Sequence, residues 1–119
     1  MAEDPLFSIR KGKGVKLRLY AAAELCLAVY EGGDYSYLRL LLKCGCSPDA
    51  TDYDMRTAGH ICCGDNLLAA ALILLEHGAD FASAAVRNAS GRTPLEEGEA
   101  NGHTLLVATL QTFIRSSKQ

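Results

Sequence analysis

Apolar residues in this chain fall into short helical runs, and each run is followed by glycine. Residues 21–31 are rich in Ala and Leu, and residues 35–44 place apolar side chains on one wide helical face. A glycine pair follows the first run and Gly45 follows the second. Because glycine readily adopts the left-handed conformation that ends many helices, these breaks predict two helices joined by a tight turn. Asp34 is expected to be the N-cap of the second helix.

The same alternation returns twice later in the chain. Residues 57–65 predict a short helix and residues 67–77 a longer, strongly apolar one, which Gly78 ends. A third pair is predicted at residues 94–101 and 103–115, where Pro94 occupies the first helical position and Thr93 precedes it as a cap. The pattern therefore predicts an all-α domain of three helix pairs.

The interval between successive pairs is regular at first. Gly45 and Gly78 end equivalent helices and lie 33 residues apart. One helix pair of this size cannot bury its apolar face alone, whereas about three stacked pairs bury a continuous core. The sequence therefore predicts a solenoid with repeats at about residues 20–51, 52–87 and 88–119.

The loops and helix starts resemble those of the ankyrin-repeat family. In that family a loop D-x-x-G-x precedes T-P-L-H-x-A-A, and a later helix V-x-x-L-L leads to G-A-D. Residues 52–63 read DYDMRTAGHICC, residues 78–80 read GAD, and residues 88–95 read NASGRTPL. The resemblance covers about residues 20–115. It implies an all-α ankyrin-repeat solenoid of stacked helix-turn-helix pairs, with β-turn loops that project to one side.

The chain departs from the family pattern at three places. Thr57 and Thr93 lie 36 residues apart, so the loop between the second and third repeats is about three residues longer than usual. Gly59 replaces the consensus Leu, and Glu96 replaces the consensus His. Because burying a Leu side chain is worth about 1.5–3 kcal/mol, Gly59 is expected to loosen the second repeat.

The resemblance implies a non-catalytic module that binds another protein without a cofactor. Variable positions at the loop tips and on the inner helices of such a solenoid form a concave face. Tyr and Arg are the residue types enriched at interface hot spots. Tyr30, Tyr35 and Tyr37, by contrast, are interpreted as half-buried packing residues. The candidate partner-binding residues are Tyr53, Asp54, Arg56, Asp65, Arg87, Ser90, Arg92 and Asn101.

A narrower resemblance gives an alternative function. Residues 17–22, 52–58 and 93–97 are similar to the ankyrin tail of glutaminase- and asparaginase-type amidohydrolases. That tail is non-catalytic and is attached to a larger catalytic domain. The alternative is therefore a regulatory or oligomerisation tail that joins or spaces catalytic subunits.

A second alternative is a metal or redox module. Its candidate ligands are Cys44, Cys46, His60, Cys62 and Cys63. Structural zinc sites usually pair Cys-x₂₋₄-Cys with a second pair of ligands, and both cysteine pairs in this chain are closer together than that. Two of these cysteines also fall on consensus Ala positions, where a small buried side chain packs well. We therefore favour core packing and predict no metal site.

Composition limits the remaining possibilities. A chain of 119 residues with a net charge of −2 makes one domain and gives no general reason to bind nucleic acid. Residues 1–19 carry five of the twelve Lys and Arg and are predicted to be a flexible basic leader. The sequence offers no signal peptide and no membrane span, so an intracellular location is expected, by default the cytoplasm, with the nucleus as the alternative. The apolar strip of the C-terminal helix is a candidate contact for further repeats or for a second copy.

Overall fold

The computed structural model describes residues 14–52 and 54–117. These residues form six α-helices and one short 3₁₀ helix, and they contain no strand. The prediction of an all-α domain of three helix pairs is therefore confirmed. The elements are α1 (Gly14–Glu31), α2 (Ser36–Lys43), α3 (Ala58–Gly64), α4 (Leu68–Glu76), the 3₁₀ helix (Ala84–Val86), α5 (Pro94–Ala100) and α6 (Thr104–Ser117).

The helices form two layers. The inner layer consists of α1, α3 and α5, and α3 packs between the other two. The outer layer consists of α2, α4 and α6, each packed on the inner helix of its own pair, and α4 also contacts α6. One apolar core runs through all three pairs. Its fully buried side chains include Leu25, Leu38, Leu41, Leu74, Phe81 and Leu110.

Glycine ends the outer helices α2 and α4 in the same way. Gly45 has φ 95° and Gly78 has φ 90°, both in the left-handed region. The N–H of the residue after each glycine donates to the carbonyl of Leu41 in α2 and of Leu74 in α4, at 3.1 Å in each case. These bonds satisfy carbonyls that the helix itself leaves unpaired. The 33-residue interval in the sequence therefore marks two equivalent helix C-termini.

Two of the predicted helix starts are corrected by the structure. The first helix begins at Gly14 and not at residue 21, so the end of the predicted leader belongs to α1, while residues 1–13 lie outside the described residues. The N-cap of α2 is Tyr35, with φ 59°, and not Asp34. The left-handed Tyr35 turns the chain directly before the helix, so Asp34 lies one residue before the N-cap. Oδ1 of Asp34 still accepts the N–H of Ser36 at 3.1 Å.

The expectation that Gly59 loosens the second repeat is wrong. A Cβ atom built on Gly59 would lie 2.7 Å from Cε1 of Phe81, so the ring occupies the space of a side chain at this position. Phe81 begins the lengthened loop, is only 2% exposed and accepts the N–H of Leu95 with its carbonyl at 3.2 Å. Phe81 therefore supplies the apolar group that the missing Leu would have supplied.

We predict that Phe81→Ala lowers the free energy of unfolding by about 3–5 kcal/mol, as expected for the loss of a buried Phe side chain. Gly59→Leu alone is also destabilising, because its side chain would overlap the Phe81 ring. In the Phe81→Ala background the same Gly59→Leu change is expected to restore part of the loss, since Leu refills the cavity. Urea unfolding of the four proteins measures these effects.

Phe113→Ala is the matched control, because Phe113 is only half-buried and its removal should cost less. An unfolding free energy of Phe81→Ala equal to that of Phe113→Ala would contradict the compensation between Gly59 and Phe81.

Candidate partner-binding surface

The loop before α3 is folded by one aspartate. Oδ1 of Asp52 accepts the N–H groups of Asp54 and Arg56, both at 2.9 Å. The backbone of Asp52 also donates to the carbonyl of Arg56 and accepts the N–H of Met55, at 3.0 Å each. The tip of this loop is thereby fixed, and Asp54 and Arg56 are exposed on it. Tyr53, predicted to bind the partner, lies outside the described residues.

The loop before α5 repeats this geometry. Oδ1 of Asn88 accepts the N–H groups of Ser90 and Arg92 at 3.0 Å, and the Asn88 backbone bonds with Arg92 and Gly91 as its counterpart does in the earlier loop. The N–H of Ala89 donates to the carbonyl of Asp54 at 2.8 Å. This bond joins the two loop tips into one rim, on which Ser90 and Arg92 are exposed.

His60 joins the start of α3 to the second loop. Its Nδ1 accepts the N–H of Thr57 at 3.0 Å, which places the ring proton on Nε2, and Nε2–H donates to the carbonyl of Arg92 at 2.8 Å. Thr57 is the N-cap of α3, so the pair forms a capping box. The side chain is only 2% exposed, and burial lowers the pKa of His60.

Glu96 performs the same capping role at the start of α5. Its Oε1 accepts the N–H of Thr93 at 2.9 Å, while Oγ1 of Thr93 accepts the N–H of Glu96 at 3.2 Å. This N–H bond from Thr93 is the largest influence that lowers the pKa of Glu96, and Arg87 contributes. The departure from the consensus His therefore preserves the cap.

All three arginines predicted to bind a partner are already paired with carboxylates. Exposed ion pairs of this kind contribute only about 0.2–1 kcal/mol to stability. Their effect is to neutralise each guanidinium group close to the rim. The pairs are Arg56 with Asp52 at 3.1 Å, Arg87 with Glu96 at 2.7 Å and Arg92 with Glu97 at 3.3 Å.

A groove of about 210 Å³ runs across the inner helices beside this rim. It brings together three of the predicted residues, Arg56, Asp65 and Asn101, whereas Asp54, Arg87, Ser90 and Arg92 are exposed but do not line it. Residues from all three inner helices contribute to the groove. Its lining consists of Tyr30, Arg56, His60, Ile61, Gly64, Asp65, Glu97 and Asn101.

Tyr30 is the residue of this groove that the sequence interpretation misplaced. It was expected to be half-buried, but it is 60% exposed. The helical spacing of α1 contained the information, because the buried residues Leu25, Ala28 and Val29 define an inward face from which Tyr30 is turned away. Asn101 has a structural role as well, since its Nδ2 donates to the carbonyl of Gly64, the last residue of α3, at 3.1 Å.

The candidate metal and redox residues lie in a different environment. Cys62 and Cys63 are fully buried, and burial raises the pKa of Cys63 to about 12 and raises that of Cys62 further. All five cysteines are free thiols. Among residues 14–52 and 54–117, no group of three or more His, Cys, Asp or Glu is placed to hold a metal ion. The two cysteines of α3 therefore pack as small apolar side chains.

A family model described as ankyrin repeats, in three copies, matches residues 25–114. The chain belongs to the ankyrin-repeat family. The rice (Oryza sativa subsp. japonica) potassium channel KOR2 is 37% identical over 91 residues, which are 76% of this chain and 12% of the channel. The Arabidopsis thaliana potassium channel GORK is 34% identical over 87 residues, 73% of this chain and 10% of the channel. The chain thus spans only about a tenth of the length of these relatives.

Membership of the family confirms the main functional prediction, because ankyrin repeats are protein-interaction modules and are in general non-catalytic. The resemblance to the tail of amidohydrolases finds no support among these relatives, which are potassium channels. No helix in the described part of this chain is long and apolar enough to cross a bilayer.

The buried His60 leads to a prediction on pH. The pKa of His60 is lowered in the folded state from its ordinary value of 6.5. Below about pH 6.5 the unfolded chain therefore binds a proton at this residue more readily than the folded protein does. Stability is therefore expected to fall as the pH drops below about 6.5, by at most about 1.4 kcal/mol from this residue at pH 5.5. His60→Gln keeps a capping side chain that does not titrate, so it should reduce the difference in unfolding free energy between pH 7.5 and pH 5.5.

His77→Gln is the control, because the His77 ring bonds the carbonyl of Ile73 in the helix that it caps and joins no other repeat. A pH dependence that His60→Gln leaves at its original size would show that another group is responsible.

The strained Met55 leads to a second prediction. Met55 has φ 59° at the position where Gly91, with φ 80°, lies in the next loop. The left-handed region destabilises a residue with a Cβ atom by roughly 1–2 kcal/mol, and glycine avoids this strain. Part of the gain is offset because glycine gives the unfolded chain more conformational entropy. Met55→Gly is therefore expected to raise the free energy of unfolding by about 0.5–1 kcal/mol. Met55→Ala keeps the Cβ atom and should give no such gain in thermal unfolding.

Proposed function

We propose that this chain binds a protein partner through the concave face formed by α1, α3, α5 and the two loop tips. The binding requires no catalysis and no cofactor. The partner-binding residues in this proposal are Tyr53, Asp54, Arg56, Asp65, Arg87, Ser90, Arg92 and Asn101, and the groove adds Tyr30 to them.

The observation that carries the proposal is the continuity of the groove across three successive repeats. Tyr30 comes from α1, Asp65 follows α3, and Asn101 follows α5, yet all three line one groove. A segment lying across the inner helices would contact each repeat in turn. Such a series of contacts is how a solenoid accumulates binding energy from small units.

The hydrogen bonds of the loops favour this use. The bond from Ala89 to Asp54 ties one loop tip to the other, and the bond from His60 to Arg92 ties the second loop to α3. A surface that is already ordered loses little conformational entropy when a partner binds. The face is therefore a preformed surface, which suits it to binding a partner.

The surroundings of the protein and its assembly form part of the same proposal. Five free thiols fit the reducing interior of a cell, so we place the protein in the cytoplasm. Leu105 on α6 is 81% exposed and offers a contact for a further repeat or for a second copy. The similarity to the two potassium channels extends over only 12% and 10% of their length, so ion conduction is not included in the proposed function.

The test of the proposed face combines Tyr53→Ala with Arg56→Ala. Arg56 is exposed and its ion pair with Asp52 contributes at most about 1 kcal/mol, so the helical circular dichroism should be retained. Capture of the native partner by the immobilised chain is expected to fall at least tenfold, because two hot-spot residue types are lost together.

Tyr37→Ala with Lys43→Ala removes the same kinds of side chain from the outer helix α2 and serves as the control. Equal capture by the two double variants would place the binding surface elsewhere on the molecule.

A further inference from the structure

Among the described side chains in and beside the groove, the balance of charge is negative. Twelve of the fourteen Asp and Glu lie after residue 20, but only seven of the twelve Lys and Arg do. Two described guanidinium groups lie in and beside the groove, those of Arg56 and Arg92, and each is paired with a carboxylate. The positive charge of these two groups is thus neutralised within the protein. The carboxylates of the same region are those of Asp52, Asp54, Asp65 and Glu97.

Asp65 is the carboxylate of the groove that keeps its binding capacity. Its side chain has no hydrogen bond and no ion pair with the described residues, whereas both oxygens of Glu97 accept bonds, from Asn88 and Arg92. Asn101 uses its Nδ2 to bond Gly64, which leaves its side-chain oxygen as a second acceptor in the groove. These acceptors suit a donor-rich, positively charged group.

Tyr30 adds an aromatic ring to the same groove. Its side chain is 60% exposed, although an aromatic ring of this size is usually more deeply buried. A guanidinium or ammonium group is attracted to the face of a tyrosine ring and, at the same time, to a carboxylate. A groove that offers both groups is complementary to the side chain of Arg or Lys.

We propose that the partner presents a basic segment to this groove, and that one Arg or Lys of the segment binds between Tyr30 and Asp65. The proposal rests on the proposed function, since it names the chemistry of the partner at the same face. The opposite charges also increase the rate of association at low ionic strength.

The test selects binders from a phage-displayed library of random twelve-residue peptides on the immobilised full chain. The selected peptides are expected to carry a net positive charge and to bind more weakly as the salt concentration rises. Asp65→Asn should weaken the best peptide about tenfold, the loss of one charge-assisted hydrogen bond. Tyr30→Leu should weaken it about two- to fivefold, while Tyr30→Phe keeps the ring and the affinity.

The bound side chain is identified by replacing the arginines of that peptide with citrulline and its lysines with acetyl-lysine, both uncharged analogues, one at a time. One of these replacements should lose its effect in the Asp65→Asn protein, because the two groups act as a pair. Glu76→Gln is the matched control, since Glu76 is exposed at the end of the outer helix α4 and lies outside the groove. It should leave the affinity unchanged.

The outcomes separate the two proposals. Neutral or acidic peptides that Arg56→Ala weakens would overturn the basic partner but support the concave face. Peptides that are insensitive to every groove variant, or the selection of no peptide, would count against both. A several-fold gain in affinity after Arg10, Lys11 and Lys13 are changed to Gln would identify the basic run of this chain as the occupant, and would overturn a partner in trans.

Discussion

The whole structure depends on the covering of α3 from both sides. This helix has seven residues, too few to be stable alone in water, and six of them are buried. Helices α1 and α5 cover its two flanks, and α4 packs against it from the outer layer. Because the middle pair is stable only between its neighbours, the packing of the repeats, rather than helix propensity, maintains the fold. The proposed binding face is the exposed side of the same inner layer, so the requirements of stacking also position it.

The features that recur at a fixed interval were predictable from the sequence. Gly45 and Gly78 end helices by the same hydrogen bonds, and their spacing alone indicated the solenoid. What could not be predicted were features that depend on contacts between distant parts of the chain. Gly59 appears as a defect in a single repeat, and only the structure shows that the lengthened loop brings Phe81 into that space. Tyr35 adopts a left-handed conformation that residue type does not favour, which displaced the expected cap.

The candidate surface was predicted only in part, because it too depends on contacts between distant parts of the chain. Alignment of the repeats identified the exposed positions, and three of them, Arg56, Asp65 and Asn101, line one groove. The alignment could not show which hydrogen-bonding groups of these residues are already used within the protein. Residue type alone suggested that the arginines would be the groups available to a partner. Each of these arginines is paired with a neighbouring carboxylate, whereas Asp65 in the groove has no ion pair with the described residues.

This distribution of charge follows from how the loops are built. Each loop begins with Asp or Asn because its side-chain oxygen must accept two backbone amides, and an aspartate in that position attracts a nearby arginine. The second loop uses the neutral Asn88, so Arg92 pairs with Glu97 on the following helix instead. The guanidinium groups of the two loops are therefore already paired with carboxylates at the rim. Asp65 is the C-cap residue of α3, at the end opposite the loop; its backbone N–H bonds the helix, but its side chain makes no bond with the described residues. Within the described part of the chain, the scaffold thus leaves this acidic group unpaired at one end of the groove.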